Sequence, residues 1–219
     1  MTILRPANED ELQMREAIGV IRASRFVRKY ARSHKLINVV TVCEIHQEIF
    51  GDAWPEIAGK FRDVNLEISD SDHHPPLYSK VPYSMEAMNF ELGEKMTALM
   101  NAEGIIQGVH RDPDLVISMI DRVIRAAAWL HHAITFVHPF REGNGRTARL
   151  AANLILERSG LIGISVKMEK ENKNRYRQAL AQIDKKQDYE PLVEMMYEGL
   201  LERYDGVPIK FYTSRKHRA

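Results

Sequence analysis

The residues that could do chemistry are concentrated between His138 and Arg149, in the run HPFREGNGRTAR. At its centre, Gly143-Asn144-Gly145 tolerates unusual backbone angles and lets a ligand approach the main chain. A helix beginning at this point would aim its first amides at an anion, and successive turn amides can form a small anion-binding nest. Arg146 and Arg149 are three apart, so on that helix they share a face beside the anion site. Guanidinium groups match phosphate oxygens. Glu142 offers the hard oxygen that Mg²⁺ takes, with substrate oxygens and water completing its shell. His138, at the head of the run, can accept a proton near neutral pH. A base, a metal ligand, an anion cradle and two phosphate clamps make up equipment for phosphoryl or nucleotidyl transfer, in which positioning and charge neutralisation do most of the work.

These residues must be held by helices. A long apolar pattern runs from the Asp112-Pro113 start signal to about Val137 and predicts a helix buried on most of its surface. The Gly-rich break follows, and a second helix runs from near Gly145 to the Ser159-Gly160 stop. Upstream, helical spacing covers Asp10 to about Ser33 and Val40 to Phe50, the latter ended by Gly51. Ser84 is a plausible N-cap for a helix reaching about Asn101. Downstream helices are expected near Asn172–Ile183 and Tyr189–Tyr204. The one β-like stretch is Phe61–Ile68, which Leu77–Val81 could pair with as a hairpin; Pro75, Pro76 and Pro82 would confine it to an edge. The expected fold is all-α with a small β-hairpin.

Composition agrees with a globular protein: 219 residues, 44% hydrophobic and 28% charged. Lys and Arg total 31 against 30 Asp and Glu, which gives no nucleic-acid footprint. No stretch approaches the ~18–20 apolar residues that cross a membrane, and the opening MTILRPANEDELQ turns acidic too soon for a secretory leader. Cys43 is the sole cysteine, which fits a reducing compartment.

The run also resembles the signature of the Fic family, His-x-Phe-x-(Asp/Glu)-Gly-Asn-Gly-Arg-x-x-Arg. His138, Phe140, Glu142, Gly143, Asn144, Gly145, Arg146 and Arg149 fill every fixed position. A chance match is on the order of 10⁻¹⁰ per starting point. His131-His132, WPEIAGKFRDVN at Trp54–Asn65 and ENKNRYRQAL at Glu171–Leu180 resemble the family's neighbouring segments. The resemblance divides the chain into an N-terminal helical extension (1–35), a Fic domain (36–205) and a basic tail (206–219).

It implies a cytoplasmic protein adenylyltransferase that moves AMP from Mg-ATP to a Tyr, Thr or Ser hydroxyl of a target protein. His138 would be the general base, Glu142 the Mg²⁺ ligand, and Gly143, Asn144, Gly145, Arg146 and Arg149 the phosphate binders. Phe140 would be a core anchor. The hairpin around Asn65, Leu66, Glu67 and Ile68 would be a flap that docks the target by strand addition. The alternatives are transfer of another nucleotide or phosphate-containing group, and a nucleotide-dependent binding module without catalysis. Many relatives are held inactive by (Ser/Thr)-x-x-x-Glu-(Gly/Asn), whose Glu pairs with the second motif arginine. No such element occurs here, so inhibition is expected from a separate antitoxin-like protein, with a divergent internal element around Glu11 or Glu16 as the other possibility.

The remaining conspicuous residues have plainer readings. His131 and His132 are expected to be hydrogen-bonded structural histidines, and His73-His74 a solvated loop. Met85, Met88, Met96, Met100, Trp54 and Trp129 read as core, Cys43 as buried and inert, and the basic tail as a solvated end.

Overall fold

The computed structural model describes residues 6–68, 71–108, 112–164 and 170–204; the basic tail therefore lies outside the described residues. Among the described residues eight α-helices follow in order: α1 (Glu9–Arg32), α2 (Val39–Phe50), α3 (Val81–Ala98), α4 (Ala102–Gln107), α5 (Pro113–Val137), α6 (Asn144–Arg158), α7 (Lys170–Lys186) and α8 (Glu190–Arg203).

α5 and α6 form the central pair. The Asp112 side chain caps α5 through the Asp114 and Leu115 amides, and Pro113 sits in the first turn. Thirteen residues of α5 are buried, among them Val123, Ile124, Leu130 and Ile134, which fits its apolar pattern. The helix stops at His138, whose backbone is left-handed at φ 51° and ψ 57°. Residues 139–143 then turn the chain into α6.

α1 lies against both α2 and α6. Its buried stripe is Gly19, Ala23, Val27 and Ala31, spaced four apart and mostly small. A Cβ on Gly19 would stand 1.9 Å from the Ile49 carbonyl oxygen, so only glycine permits this approach of α1 to α2. Asn38 and Thr41 close a capping box at the start of α2. Arg22 ties the two helices by donating to the Glu48 carbonyl at 2.7 Å.

Four expectations need correction. No strand is present among the described residues, so the hairpin flap is absent. Residues 61–68 are irregular, and Tyr78–Lys80 is a 3-10 turn leading into α3. Side chains join the two arms instead. Arg62 donates to the carbonyls of Val64 at 2.9 Å and Pro76 at 2.5 Å, and Asn65 Oδ1 accepts the Tyr78 amide at 2.9 Å. Pro75 and Pro76 lack the N–H that a ladder needs at those positions. Secondly, α3 starts at Val81 with Pro82 in its first turn, so Ser84 lies inside the helix rather than capping it. Thirdly, Trp54 and Met100 are outside the core, at 38% and 77% exposure. Fourthly, His73 is docked, with its ring 4.5 Å from that of Phe136 and its Nε2 donating to the Phe136 carbonyl at 2.7 Å.

Candidate active site

The loop between α5 and α6 lines a cavity of about 280 Å³ together with the first turns of α6. His138, Arg141, Glu142, Gly143, Asn144, Gly145, Arg146 and Arg149 all face it, so the residues singled out in the motif come together in space.

Gly143 sits at φ 74°, and a Cβ there would lie 2.2 Å from Cε2 of Phe50. Only glycine satisfies both the left-handed backbone and the contact with that ring. It is also the N-cap of α6, and no side chain caps the helix. The first amides of α6 thus keep their hydrogen-bonding capacity and the positive end of the helix dipole for an anion. The Asn144 side chain, by contrast, is tied to the loop: Oδ1 accepts the Phe140 amide at 2.9 Å, and Nδ2 donates to the Phe140 carbonyl at 2.8 Å. Asn144 fixes the loop through its side chain and offers the site its backbone N–H.

His138 Nδ1 lies 3.2 Å from the Thr135 carbonyl. A carbonyl only accepts, so Nδ1 carries the proton of the neutral ring and Nε2 keeps its lone pair. Burial lowers the His138 pKa, and the Arg62 and His73 charges add to this against the opposing pull of the Thr135 bond and Glu142. The ring is therefore an unprotonated base at neutral pH.

Arg146 and Arg149 share one face of α6. Arg146 stacks over Phe50 at 4.9 Å and pairs with Glu16 of α1 at 2.5 Å and with Glu142 at 3.4 Å. Burial, reinforced by Arg146, lowers the Arg149 pKa; no carboxylate forms a salt bridge with Arg149 among the described residues. A desolvated cation beside a second cation and an uncapped helix start suits a polyanion such as a triphosphate. The Glu142 carboxylate is 54% exposed and holds the Gly143 amide at 2.8 Å. No group of three or more potential metal ligands occurs among the described residues. One half-exposed carboxylate beside an anion cradle would fit Mg²⁺, which draws most of its ligands from water and substrate oxygens.

Two further residues organise this site without having stood out in the sequence. His46 of α2 stacks on Phe140 at 3.9 Å with 12° between the rings. Its Nδ1 accepts the Gly59 amide at 2.9 Å, so Nε2 carries the hydrogen and donates to the Glu142 carbonyl at 3.0 Å. Burial pushes its pKa down to about 4, which keeps this neutral tautomer. Arg62, only 3% exposed, donates from Nε to the His138 carbonyl at 2.8 Å, and its amide donates to the Pro139 carbonyl at 2.8 Å. With its bonds to Val64 and Pro76 it joins the expected docking segment to the backbone of His138. Arg141 adds a bond from Nε to Asp63 at 2.8 Å.

The expected docking residues remain near the site. Asn65 and Glu67 are exposed, while Leu66 and Ile68 are half-buried. Ile68 helps line a cavity of about 210 Å³ with His73, His132, Tyr176 and Asp184, and this cavity shares His138 and Gly145 with the first. His131 and His132 are structural, as expected. His131 Nε2 meets the Tyr176 hydroxyl at 2.7 Å, and His132 Nε2 meets Asp184 at 2.8 Å.

Similarity to known proteins points the same way. The Fic/DOC family model matches residues 36–156, more than half of the chain. The chain is similar to protein adenylyltransferase Fic of Nematostella vectensis, with 29% identity over 72% of this chain and 32% of that protein. It is also similar to protein adenylyltransferase fic-1 of Caenorhabditis elegans, at 30% over 70% of this chain and 26% of that one. It thus spans about a third or less of the relatives it matches. Among solved structures, Fic-1 from C. elegans superposes with a TM-score of 0.67 at 24% identity, covering 100% of this chain and 56% of that one. A Fic domain containing signaling protein from Bacteroides thetaiotaomicron gives 0.61 at 19%, covering 87% and 68%. At these identities the two superpositions speak for the fold.

Proposed function

Because the chain belongs to the Fic/DOC family, we propose that it is a protein adenylyltransferase that transfers AMP from Mg-ATP to a hydroxyl side chain of a target protein. The observation that carries this reading is the shared cavity. A neutral His138 with a free Nε2 faces the same space as an uncapped helix start and the Arg149 guanidinium.

In this reading the triphosphate lies over Gly143, Asn144 and Gly145, with its outer phosphates on Arg146 and Arg149. The nucleoside extends into the adjoining cavity beside Tyr176 and Asp184. His138 Nε2 accepts the proton of the incoming Tyr, Thr or Ser hydroxyl. The oxygen bonds to the α-phosphorus, the bond from that phosphorus to the bridging oxygen breaks, and pyrophosphate leaves with the electron pair. The two arginines offset charge on the departing pyrophosphate. Glu142 would hold Mg²⁺, which when bound would supply charge neutralisation to the phosphates. The target would lie along Asn65, Leu66, Glu67 and Ile68. Among the described residues the backbone amides of 64–68 make no backbone hydrogen bonds, which supports docking by strand addition.

For control we favour an internal contact, since Glu16 pairs with Arg146. A separate antitoxin-like inhibitor is the second possibility. No helix among the described residues is long and apolar enough to cross a membrane.

Radiolabelled ATP tests the chemistry. Label from the α-phosphate should stay on the acceptor protein, and label from the γ-phosphate should leave with pyrophosphate. Retention of the γ-label instead would indicate kinase-like transfer, and the AMP reading would have to be given up.

A further inference from the structure

A second cavity, of about 580 Å³, opens at the far end of α6 from the phosphate cradle. Arg158, which reaches it, stands about 21 Å along the helix from Asn144. The other walls are the connection between α1 and α2, the second half of α3, and α4. None of its lining residues belongs to the two cavities around His138. The floor is apolar: Ile37 and Leu99 are buried, Met96 and Ile105 half-buried. Leu36 and Met100 flank it at 69% and 77% exposure. The rim is mainly cationic. Lys35 and Arg158 face the cavity, while His34 lies 3.8 Å from Glu103, the one carboxylate in the lining among the described residues. Both hydrogen bonds of Arg158 leave Nη2 for backbone carbonyls, those of Tyr30 at 3.3 Å and Lys35 at 2.7 Å. Its Nε is buried without a partner among the described residues. Burial lowers its pKa, with Tyr30 and Glu103 opposing. A desolvated guanidinium that meets only neutral acceptors is under-compensated, and an anion would complete it.

We propose that this cavity binds a free single-chain amphiphile with a carboxylate head, the head beside Lys35 and Arg158 and the alkyl tail along Leu36, Met96, Leu99 and Met100. The two thioether side chains adapt to a flexible tail. Covering Leu36 and Met100 takes exposed apolar surface out of water. A nucleobase suits the cavity less well, because no aromatic ring among the described residues lines it for stacking. The apolar floor is recessed, so the tail must enter the cavity; a free molecule does this without leaving a bilayer. The site is independent of the transfer reaction proposed above.

Calorimetric titration of the whole protein with laurate, below its micellar concentration and with Mg-ATP present or absent, tests this. One laurate per protein should bind, with the same affinity in both conditions. Octanoate, four methylenes shorter, should bind at least about tenfold more weakly. Dodecyltrimethylammonium, with a tail of similar length and the opposite charge, should not bind measurably. Lys35→Glu and Met100→Glu should each weaken laurate by about tenfold or more, through charge repulsion at the head and the tail. Both positions are exposed, and thermal melts confirm that the variants are folded. Arg158→Gln should weaken it too, but it also removes the ties to the Tyr30 and Lys35 carbonyls, so the two exposed positions decide. Absence of laurate binding overturns the proposal. So does equal binding of dodecyltrimethylammonium, which would be apolar adsorption blind to charge. Binding indifferent to Lys35→Glu and Met100→Glu would lie elsewhere, and competition by Mg-ATP would place the carboxylate in the phosphate cradle; either contradicts it. Capture by phosphatidylserine vesicles through Lys35 and Met100, without laurate binding, would replace the free amphiphile with a membrane surface.

Discussion

Glu16 Oε2 of α1 lies 2.5 Å from Arg146 Nη1 of α6, and both side chains are largely shielded, at 16% and 26% exposure. The contact joins positions 130 residues apart in the chain. It places a carboxylate of the first helix on an arginine assigned to phosphate. Glu142 occupies the same guanidinium from the other side and also takes the Gly143 amide. In the proposed AMP transfer, Glu16 would therefore compete with a phosphate oxygen for Arg146.

Removing Glu16 should free the cation. Glu16→Ala is expected to tighten Mg-ATP binding by about tenfold, the effect of losing one competing charge-assisted bond. Calorimetric titration of both proteins measures it. Equal affinities would mean that the pair is structural and that restraint comes from elsewhere.

Arg62 binds the backbone of His138 and Pro139 on one side and Val64 and Pro76 on the other. Lysine can reach one or two of these carbonyls but cannot reproduce the planar fork. Arg62→Lys should lower kcat by about tenfold and raise the KM for the protein target, with nucleotide affinity little changed. Arg62→Gln should do more. A large loss of ATP affinity in Arg62→Lys would place the residue in the phosphate site instead.

Gly143→Ala meets both a left-handed backbone and the Phe50 ring. The expected cost is about 2 kcal/mol or more in stability, together with loss of nucleotide binding as the loop shifts. Denaturant unfolding checks the first part and titration with ATP the second. A variant that bound ATP normally would show that the cradle tolerates a displaced turn.

Two histidines buried as neutral groups set the direction of the acid response. The pKa of His46 is held near 4 and that of His131 near 3, both by burial, against an ordinary value of 6.5. The unfolded chain binds these protons first, so stability is complete above about 6.5 and declines as pH falls towards 4. His46 alone contributes on the order of 3 kcal/mol to this loss. Melting temperatures between pH 7 and 4 should fall, with a shallower slope in His46→Gln. His138 is lowered in the same direction, so the acid limb of kcat/KM for ATP should sit below that of an ordinary imidazole. A limb above 6.5 would assign the base to another group.

Much of this was legible in the residues. Asp112-Pro113 marks the start of α5, Gly143 the turn, and the pattern from near Gly145 to Ser159-Gly160 the helix α6. These signals are local, so the chain carries them openly. Residues 61–68 resemble a strand because Phe61, Val64, Leu66 and Ile68 are strand-type residues, whereas their course is set by one guanidinium among three carbonyl oxygens. His46 and Arg62 reach Glu142 and His138 across 96 and 76 residues, and no local pattern announces such contacts. The Glu16 contact lay in a helix that the motif does not cover, although its charge and place made it a candidate.

The central claim is that His138 is the base of an AMP transfer. Intact-protein mass spectrometry after incubation with Mg-ATP, with the chain alone and with a cell lysate, tests it most directly. Glu16→Ala serves as the background, compared with Glu16→Ala carrying His138→Ala. The account predicts an added mass of about 329 Da per site with His138 present and none without it. An equal adduct in both proteins, or none in either while ATP still binds, would contradict it.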